Sequence, residues 1–288
     1  MVLHLIGLGL GDPSDITLRG LKLIQSSNHV YLENYTSLLV GTSTDELAKF
    51  YNIPCLTVAD REFCESHGVD EMLGYAEKNS VCFLVVGDPF CATTHTDLVI
   101  RARERGIEVN IVHNASIVSA VGCCGLQVYK FGEIVSIPLW IGGWKPTSFY
   151  DKIRQNYSRG LHTLCLLDIK VKERNLVALA RGKEGVFDPP RFMTVTEALA
   201  QLLAIENGEV EDGIPISSFI TKDTMVVGLA RVGKVDQVIL AGKVGEISEH
   251  ANQVEEKLGA PLHSLVICAE NLHELENEYL KPFLFQPV

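Results

Sequence analysis

Much of what this 288-residue chain does is bounded by what it lacks. Its eight cysteines (Cys55, Cys64, Cys82, Cys91, Cys123, Cys124, Cys165 and Cys268) form no CxxC pair, which argues against a zinc site or a disulfide framework and for a reducing cytosol. Most of them lie in apolar runs, where a reduced cysteine acts as a small hydrophobe. No stretch approaches the roughly 18 consecutive apolar residues that span a bilayer, and no basic segment opens the chain, so no membrane association is expected. Lys and Arg number 25 against 36 Asp and Glu, a net charge of −11, and they form no long cluster. A nucleic-acid partner is therefore not expected, because phosphate binding depends on neutralising backbone charge. The histidines show no HxxH or HxH spacing, so no metal is expected. No Gly-x-Ser-x-Gly elbow and no Cys/His pairing support covalent hydrolysis. No repeat or low-complexity segment is evident. The chain reads as a cytoplasmic globule.

What is present is a core and a rhythm. Hydrophobic residues make up 47% of the chain, enough for a sizeable interior. The length suits about two domains of roughly 150 residues. Strand-like segments at 2–6, 29–32, 56–58, 81–86 and 108–112 alternate with helix-like ones at 15–24, 44–51, 61–78 and 96–105. That alternation predicts right-handed βαβ crossovers and a mainly parallel sheet over residues 1–113. Val81-Cys82-Phe83-Leu84-Val85-Val86 is unbroken apolar sequence, as in a strand covered on both faces. Beyond residue 113 the pattern changes. Strands are expected at 131–140, 161–169, 226–230, 237–241 and 262–268, with helices at 148–157 and 194–206, a loop at 181–191 and polar connections elsewhere. A second α/β domain over 114–288, built on a mixed sheet, is the natural reading.

The sharpest motif is Gly7-Leu8-Gly9-Leu10-Gly11-Asp12-Pro13, directly after the first strand. Glycines there let backbone approach a ligand and offer peptide N–H groups to an anionic or carboxylate-bearing one, or they make a tight turn and nothing more. A dinucleotide fingerprint needs glycine where Asp12 stands, although Glu33 sits at the offset of a ribose-binding acid. Gly87-Asp88-Pro89-Phe90 follows the buried strand at its carboxyl end, where parallel sheets bind ligands. The alternative for Asp88 is an Asx turn fixed by Pro89. In His113-Asn114-Ala115-Ser116-Ile117 a strand meets a small-residue helix over 115–124, and Asn114 or Ser116 can serve as its cap.

Taken together these segments resemble a family. Leu5 to Pro13, followed by Leu18-Arg19-Gly20-Leu21, is similar to the opening of the tetrapyrrole-methylase superfamily. More specific are Val30-Tyr31-Leu32-Glu33-Asn34-Tyr35-Thr36, Val85 to Phe90, Ala92-Thr93-Thr94-His95-Thr96-Asp97-Leu98, His113 to Ile117, Gly122 to Gln127, and His162 to Glu173, which resemble the diphthine synthases of eukaryotes. The resemblance runs from residue 2 to about 268 and is weakest at 207–222 and 243–260. It implies two α/β domains with S-adenosylmethionine in the cleft between them, S-adenosylhomocysteine as product, no metal, and a homodimer. It further implies that the substrate is translation elongation factor 2 carrying a 3-amino-3-carboxypropyl-histidine. That group would receive three methyls on its amine and one on its carboxylate. The family's donor-contacting positions fall on Leu10, Asp88, Cys91, Ser116, Ile117, Leu167, Val232 and His263. Cys91 stands where the family often has glycine, and an insertion precedes His263. No residue is nominated as a catalytic base. The competing readings are C-methylation of a tetrapyrrole and, from a different class, a nicotinamide-dependent oxidoreductase resting on Glu33 and the glycines.

Overall fold

The computed structural model describes residues 1–35, 39, 41–65, 67–183, 185–210 and 219–287, so Thr36 of the quoted motif lies outside the described residues. The chain forms two compact units, Met1–Val118 with Ile169–Arg191, and Ser119–Asp168 with Phe192–Val288. The division expected at 113/114 differs from this in two ways. The first unit runs on to Val118, and it takes back a later segment.

In the first unit β1 (Val2–Gly7), α1 (Leu18–Ser26), β2 (His29–Glu33), α2 (Thr44–Tyr51), β3 (Thr57–Ala59), α3 (Arg61–Glu65), α4 (Gly68–Ala76), β4 (Ser80–Val85), α5 (Thr96–Glu104) and β5 (Glu108–Val112) alternate as predicted. The sheet order is β3-β2-β4-β1-β5, and every pairing is parallel. Side chains on the central strands alternate between two cores, as the period of a strand requires. Leu3, Leu5, Val81, Phe83 and Val85 pack with Met72 and Leu73 of α4 and Leu98 of α5. Ile6, Cys82 and Leu84 face the other way, onto Ile24 of α1 and Leu47 and Tyr51 of α2. Helices on both faces account for the unbroken apolar runs. Helix ends are set locally: the Thr17 hydroxyl accepts from the Gly20 N–H, and Ser43 and Glu46 form a capping box. The single helix expected over 61–78 is two. A Cβ on Gly68 would lie 2.3 Å from the Phe63 ring, so the Phe63 ring packs directly on the start of α4.

After β5 comes the short helix α6 (Ile117–Ala120), which continues as a 3₁₀ turn to Cys124 where one helix over 115–124 was expected. β6 (Val135–Ile137), α7 (Ser148–Ser158) and β7 (Thr163–Leu167) follow. Next come β8 (Ile169–Lys170), α8 (Leu176–Ala180) and β9 (Arg191–Phe192), with β8 and β9 making a two-stranded sheet. Three ion pairs in register join this segment to residues 60–62 of the first unit. Asp60 meets Lys172 at 2.5 Å, Arg61 meets Glu173 at 3.3 Å, and Glu62 meets Arg174 at 2.7 Å.

The second unit adds α9 (Val195–Glu206), β10 (Met225–Ala230), β11 (Val238–Lys243), α10 (Val244–Glu249), α11 (Ala251–Leu258), β12 (His263–Ile267) and α12 (Glu274–Leu280). Its sheet, ordered β11-β10-β12-β7-β6, is mixed as expected: β6 and β7 are parallel and the other pairs antiparallel. The strand expected over 131–140 shrinks to β6, which stops before Pro138, a residue with no N–H for a ladder. The stretch expected to be a polar connection contains α10 and α11, whose Val244, Ile247, Val254 and Leu258 enter the core with Val195, Leu199 and Leu202 of α9. Val135, Ile137 and Leu139 belong to that same core, while Ile141 and Trp144 are exposed.

One polar cluster in this unit was not anticipated. Glu276 of α12 is fully buried, and its carboxylate accepts from the Gln127 N–H at 3.0 Å and the His273 N–H at 2.8 Å. The buried His162 donates from Nε2 to the same carboxylate at 3.2 Å, while its Nδ1 accepts from the Ala269 N–H at 3.0 Å. Burial holds His162 below its ordinary pKa, against the pull of Glu276. Burial raises Glu276, but the two N–H donors and His162 outweigh it and keep the carboxyl low. An ionised Glu276 holding a neutral His162 satisfies every partner, since an Nδ1 that accepts a hydrogen bond carries no proton.

Candidate functional site

β4, β1 and β5 are neighbours in the sheet, with Gly7 level with Val85 and Ile6 level with Val112. The loops leaving their carboxyl ends therefore emerge side by side, and they carry the three sequence motifs: 7–13, 87–91 and 113–117. The carboxyl edge of a parallel sheet, where strand order turns back on itself, is the general ligand-binding position of open α/β folds.

The glycine turn and the Asp88 turn bond to each other. The Gly9 N–H donates to the Gly87 carbonyl at 3.2 Å, and the Gly87 N–H donates to that of Gly9 at 2.8 Å. Glycine is required there by the fold itself. Gly9 has φ +80°, and a Cβ on it would lie 2.7 Å from that of Asp15. On Gly7 a Cβ would lie 2.6 Å from the Gly87 carbonyl oxygen. The space that a side chain on Gly9 would need is already taken by Asp15. Asp15 also accepts from the Gly11 N–H at 2.7 Å, and Asp12 accepts from Ser14 N–H at 2.7 Å, so the turn is held along its length.

Asp88 is 4% exposed. One oxygen, Oδ1, accepts from the Phe90 N–H at 2.9 Å, which makes the Asx turn real. The other, Oδ2, accepts from the Asn114 N–H at 3.1 Å and from His113 Nδ1 at 2.8 Å, so the Asx turn does not exhaust its role. Burial pulls its pKa up, but these three donors together hold the carboxyl below the ordinary range, and it is ionised at neutral pH. Asn114 is half-buried, and its side-chain amide donates to the Gly7 carbonyl at 3.0 Å and the Asp15 carbonyl at 3.0 Å. The helix cap falls to Ser116, which immediately precedes α6 and accepts from the Val118 N–H at 3.2 Å.

The positions expected to contact a donor divide between the units. Leu10, Asp88, Cys91, Ser116 and Ile117 lie on the first unit's three loops, with Asp88 and Ser116 buried and Leu10, Cys91 and Ile117 partly exposed. Glycine is not demanded at Cys91: the left-handed residue of that turn is Ala92, at φ 59°. In the second unit Leu167 ends β7, Val232 follows β10, and His263 begins β12. His263 donates from Nε2 to the Gly259 and Ala260 carbonyls at 3.1 and 3.2 Å, and its buried Nδ1 has no partner among the described residues. Burial lowers its pKa, against the pull of those carbonyls, and the ring is neutral. Neither the hydrogen bond from His113 to Asp88 nor the reach of Asn114 was visible in sequence. Glu33 is fully buried and accepts from the Tyr35 N–H at 2.9 Å, which withdraws it from the role of ribose acid.

Among the described residues no group of three His, Cys, Asp or Glu side chains is placed to hold a metal ion. No helix among them is long and apolar enough to cross a membrane.

The model of the family Tetrapyrrole (Corrin/Porphyrin) Methylases matches residues 2–248. The chain is 49% identical over 284 residues to the diphthine methyl ester synthase of Dictyostelium discoideum, covering 98% of each protein. It is 50% identical over 283 residues to that of Mus musculus, covering 98% of this chain and 96% of the relative. A crystal structure of a protein from Entamoeba histolytica assigned as a diphthine synthase superposes with a TM-score of 0.82 at 39% identity, over 99% of both chains. A second crystal structure of a diphthine synthase gives a TM-score of 0.78 at 28% identity, over 100% of this chain and 97% of the other.

Proposed function

The chain belongs to the tetrapyrrole methylase family and, within it, to the diphthine methyl ester synthases; on that premise we propose that it methylates the 3-amino-3-carboxypropyl-histidine of translation elongation factor 2, with S-adenosylmethionine as donor, three methyls going to the amine and one to the carboxylate. The near full-length similarity to curated diphthine methyl ester synthases carries the reading. It leaves tetrapyrrole methylation and nicotinamide chemistry without support of comparable reach. We assign donor contacts to Leu10, Asp88, Cys91, Ser116 and Ile117 of the first unit and to Leu167, Val232 and His263 of the second. The protein is proposed to work in the cytoplasm as a homodimer, with exposed Ile141 and Trp144 of the second unit as the first place to look for the interface.

The residues of the first unit suit this donor. A fixed, ionised Asp88 favours a cationic ammonium or the hydroxyls of a ribose, and costs no reorganisation when they arrive. The glycine turn brings main chain within reach of a ligand at Leu10, where a longer side chain at Gly7 or Gly9 would displace it. When bound, the sulfonium supplies an activated methyl and its own leaving group. The chain's task is then alignment of nucleophile, methyl carbon and sulfur, which can contribute up to about 7–11 kcal/mol in favourable intramolecular cases. The substrate amine must be neutral to attack, and an α-amino group has a pKa near 8, so the early transfers should quicken as pH rises. The carboxylate, with a pKa of about 3.5, is ionised throughout, so the ester step should be nearly flat above neutrality.

Incubation with donor and aminocarboxypropyl-modified elongation factor 2, read by intact mass, tests the proposal. Four successive additions of about 14 Da each are expected (the mass of a methylene). No mass gain on that substrate, with transfer to a tetrapyrrole instead, would overturn it.

A further inference from the structure

Asn114 joins three separate pieces of chain through its peptide N–H and its side-chain amide. Its peptide N–H donates to Asp88 Oδ2 at 3.1 Å. Its Nδ2 donates to the Gly7 carbonyl at 3.0 Å, at the end of β1, and to the Asp15 carbonyl at 3.0 Å, beyond the turn. Its Oδ1 accepts from the Ala115 N–H at 2.8 Å. A Cβ on Gly7 would fall 2.9 Å from that of Asn114, so the two segments are packed as closely as backbone permits.

We propose that Asn114 is a positioning residue for the methyl donor. Its amide clamps both ends of the turn 7–15, and its peptide N–H locks the carboxylate of Asp88, so the two donor-binding loops keep one spacing. This rests on the donor assignment made above. The residue type follows from the geometry. Two carbonyls require two N–H donors, and one N–H requires an acceptor, all at the reach of a single methylene. Aspartate would set an anion against two carbonyl oxygens. Alanine would leave both carbonyls without this partner. Capping of α6 does not explain the residue, because Ser116 holds that place and the partners of Asn114 lie about a hundred residues earlier. In any Asn114 variant the peptide N–H to Asp88 remains, so substitution isolates the clamp on the glycine turn.

Titration calorimetry with S-adenosylmethionine and S-adenosylhomocysteine, beside thermal unfolding of the free protein, tests the idea on the full chain. Asn114→Ala should weaken donor affinity at least tenfold and raise the KM for donor, while the KM for the protein substrate stays within twofold. Asn114→Asp, which keeps the volume and the bond from Ala115, should weaken donor binding further, and it serves where the alanine variant does not fold. Asn110→Ala is the matched control: Asn110 lies in β5 and bonds His4 and Arg19 at 3.1 and 2.5 Å. It should lower the melting temperature comparably and leave donor affinity within twofold. Unchanged donor affinity in folded Asn114 variants, or an equal loss in Asn110→Ala, overturns the proposal. A wild-type chain that binds neither ligand overturns the donor assignment itself, a distinct result.

Discussion

Asp88 and Glu276 are two solutions to one problem. Each is a buried carboxylate, each accepts two backbone N–H groups and one histidine N–H, and each is held ionised by them. They differ in what stands at the far side of the histidine. The His113 side chain beside Asp88 is 69% exposed, whereas that of His162 beside Glu276 is 0% exposed. Glu276 is enclosed, and what it does is fasten α12 to the loop before 3₁₀ residues Val128–Lys130 and to the chain entering β7. Asp88 sits at the open carboxyl edge of a parallel sheet, beside partly exposed Leu10 and Cys91. The same hydrogen-bonding chemistry thus makes a fastening in one unit and, at Asp88, the carboxylate proposed to bind the donor. Its surroundings decide which.

The largest expected effect of breaking that parallel is on stability. Glu276→Leu strands three donors, the Gln127 and His273 N–H groups and the buried His162 Nε2, each at a cost of about 1–3 kcal/mol. Urea unfolding should show a loss of at least about 3 kcal/mol by that count. Donor affinity of the folded variant should remain within twofold of wild type. A loss of affinity comparable to that at Asp88 would erase the distinction drawn between the two carboxylates.

Acid should next separate the two kinds of group. His4, His162 and His263 are all held below their ordinary pKa, first by burial, so they stay neutral in the folded chain. Their unfolded counterparts take up protons as pH falls through about 6.5. Stability from these rings is therefore complete above that pH and is lost as pH falls below it. Asp88 and Glu276 are also depressed, so their stabilisation is complete above the ordinary carboxylate range near 4 and is lost only below it. Urea midpoints measured from pH 8 to 3.5 should fall in two stages. A flat profile between 7 and 5 would contradict the assignment of neutral buried histidines.

The smallest effect belongs to the surface ion pairs between 60–62 and 172–174. Arg174 and Glu62 have side chains 56% and 59% exposed, so Arg174→Ala should cost less than about 1 kcal/mol, shrinking further in high salt. A double-mutant cycle with Glu62→Ala reads the pair alone. A coupling well above that figure and insensitive to salt would mean that the segment is held by something other than screened charge.

Much of the first unit could be read in sequence because its signals are local. Val81 to Val86 is apolar throughout since helices cover both faces of β4, and the glycines at 7, 9 and 87 lie where backbone meets backbone at the strand ends. Asp88 and the small-residue segment at 114–117 were legible from their position after apolar strands. What escaped depends on partners far along the chain. Asn114 meets Gly7 and Asp15, His162 meets Glu276, and residues 60–62 meet 172–174, and none of these pairings leaves a local periodicity. The second unit was harder for a related reason. Short helices such as α10 and α11 present few apolar residues each, so they resemble polar connections until the core of β10 and β12 supplies their partner.

The central claim is that the Asp88 carboxylate is a donor-binding group, and Asp88→Asn measures it most directly. Asparagine keeps the size and still accepts the Phe90 N–H through its oxygen, but it removes the charge and presents an amide to the Asn114 N–H. Calorimetric titration of the folded variant with S-adenosylmethionine should show affinity weakened by about a hundredfold, roughly 2.7 kcal/mol, in the range of a charge-assisted hydrogen bond. Donor affinity equal to that of the wild-type chain would contradict the account and return Asp88 to the purely structural role that Glu276 fills.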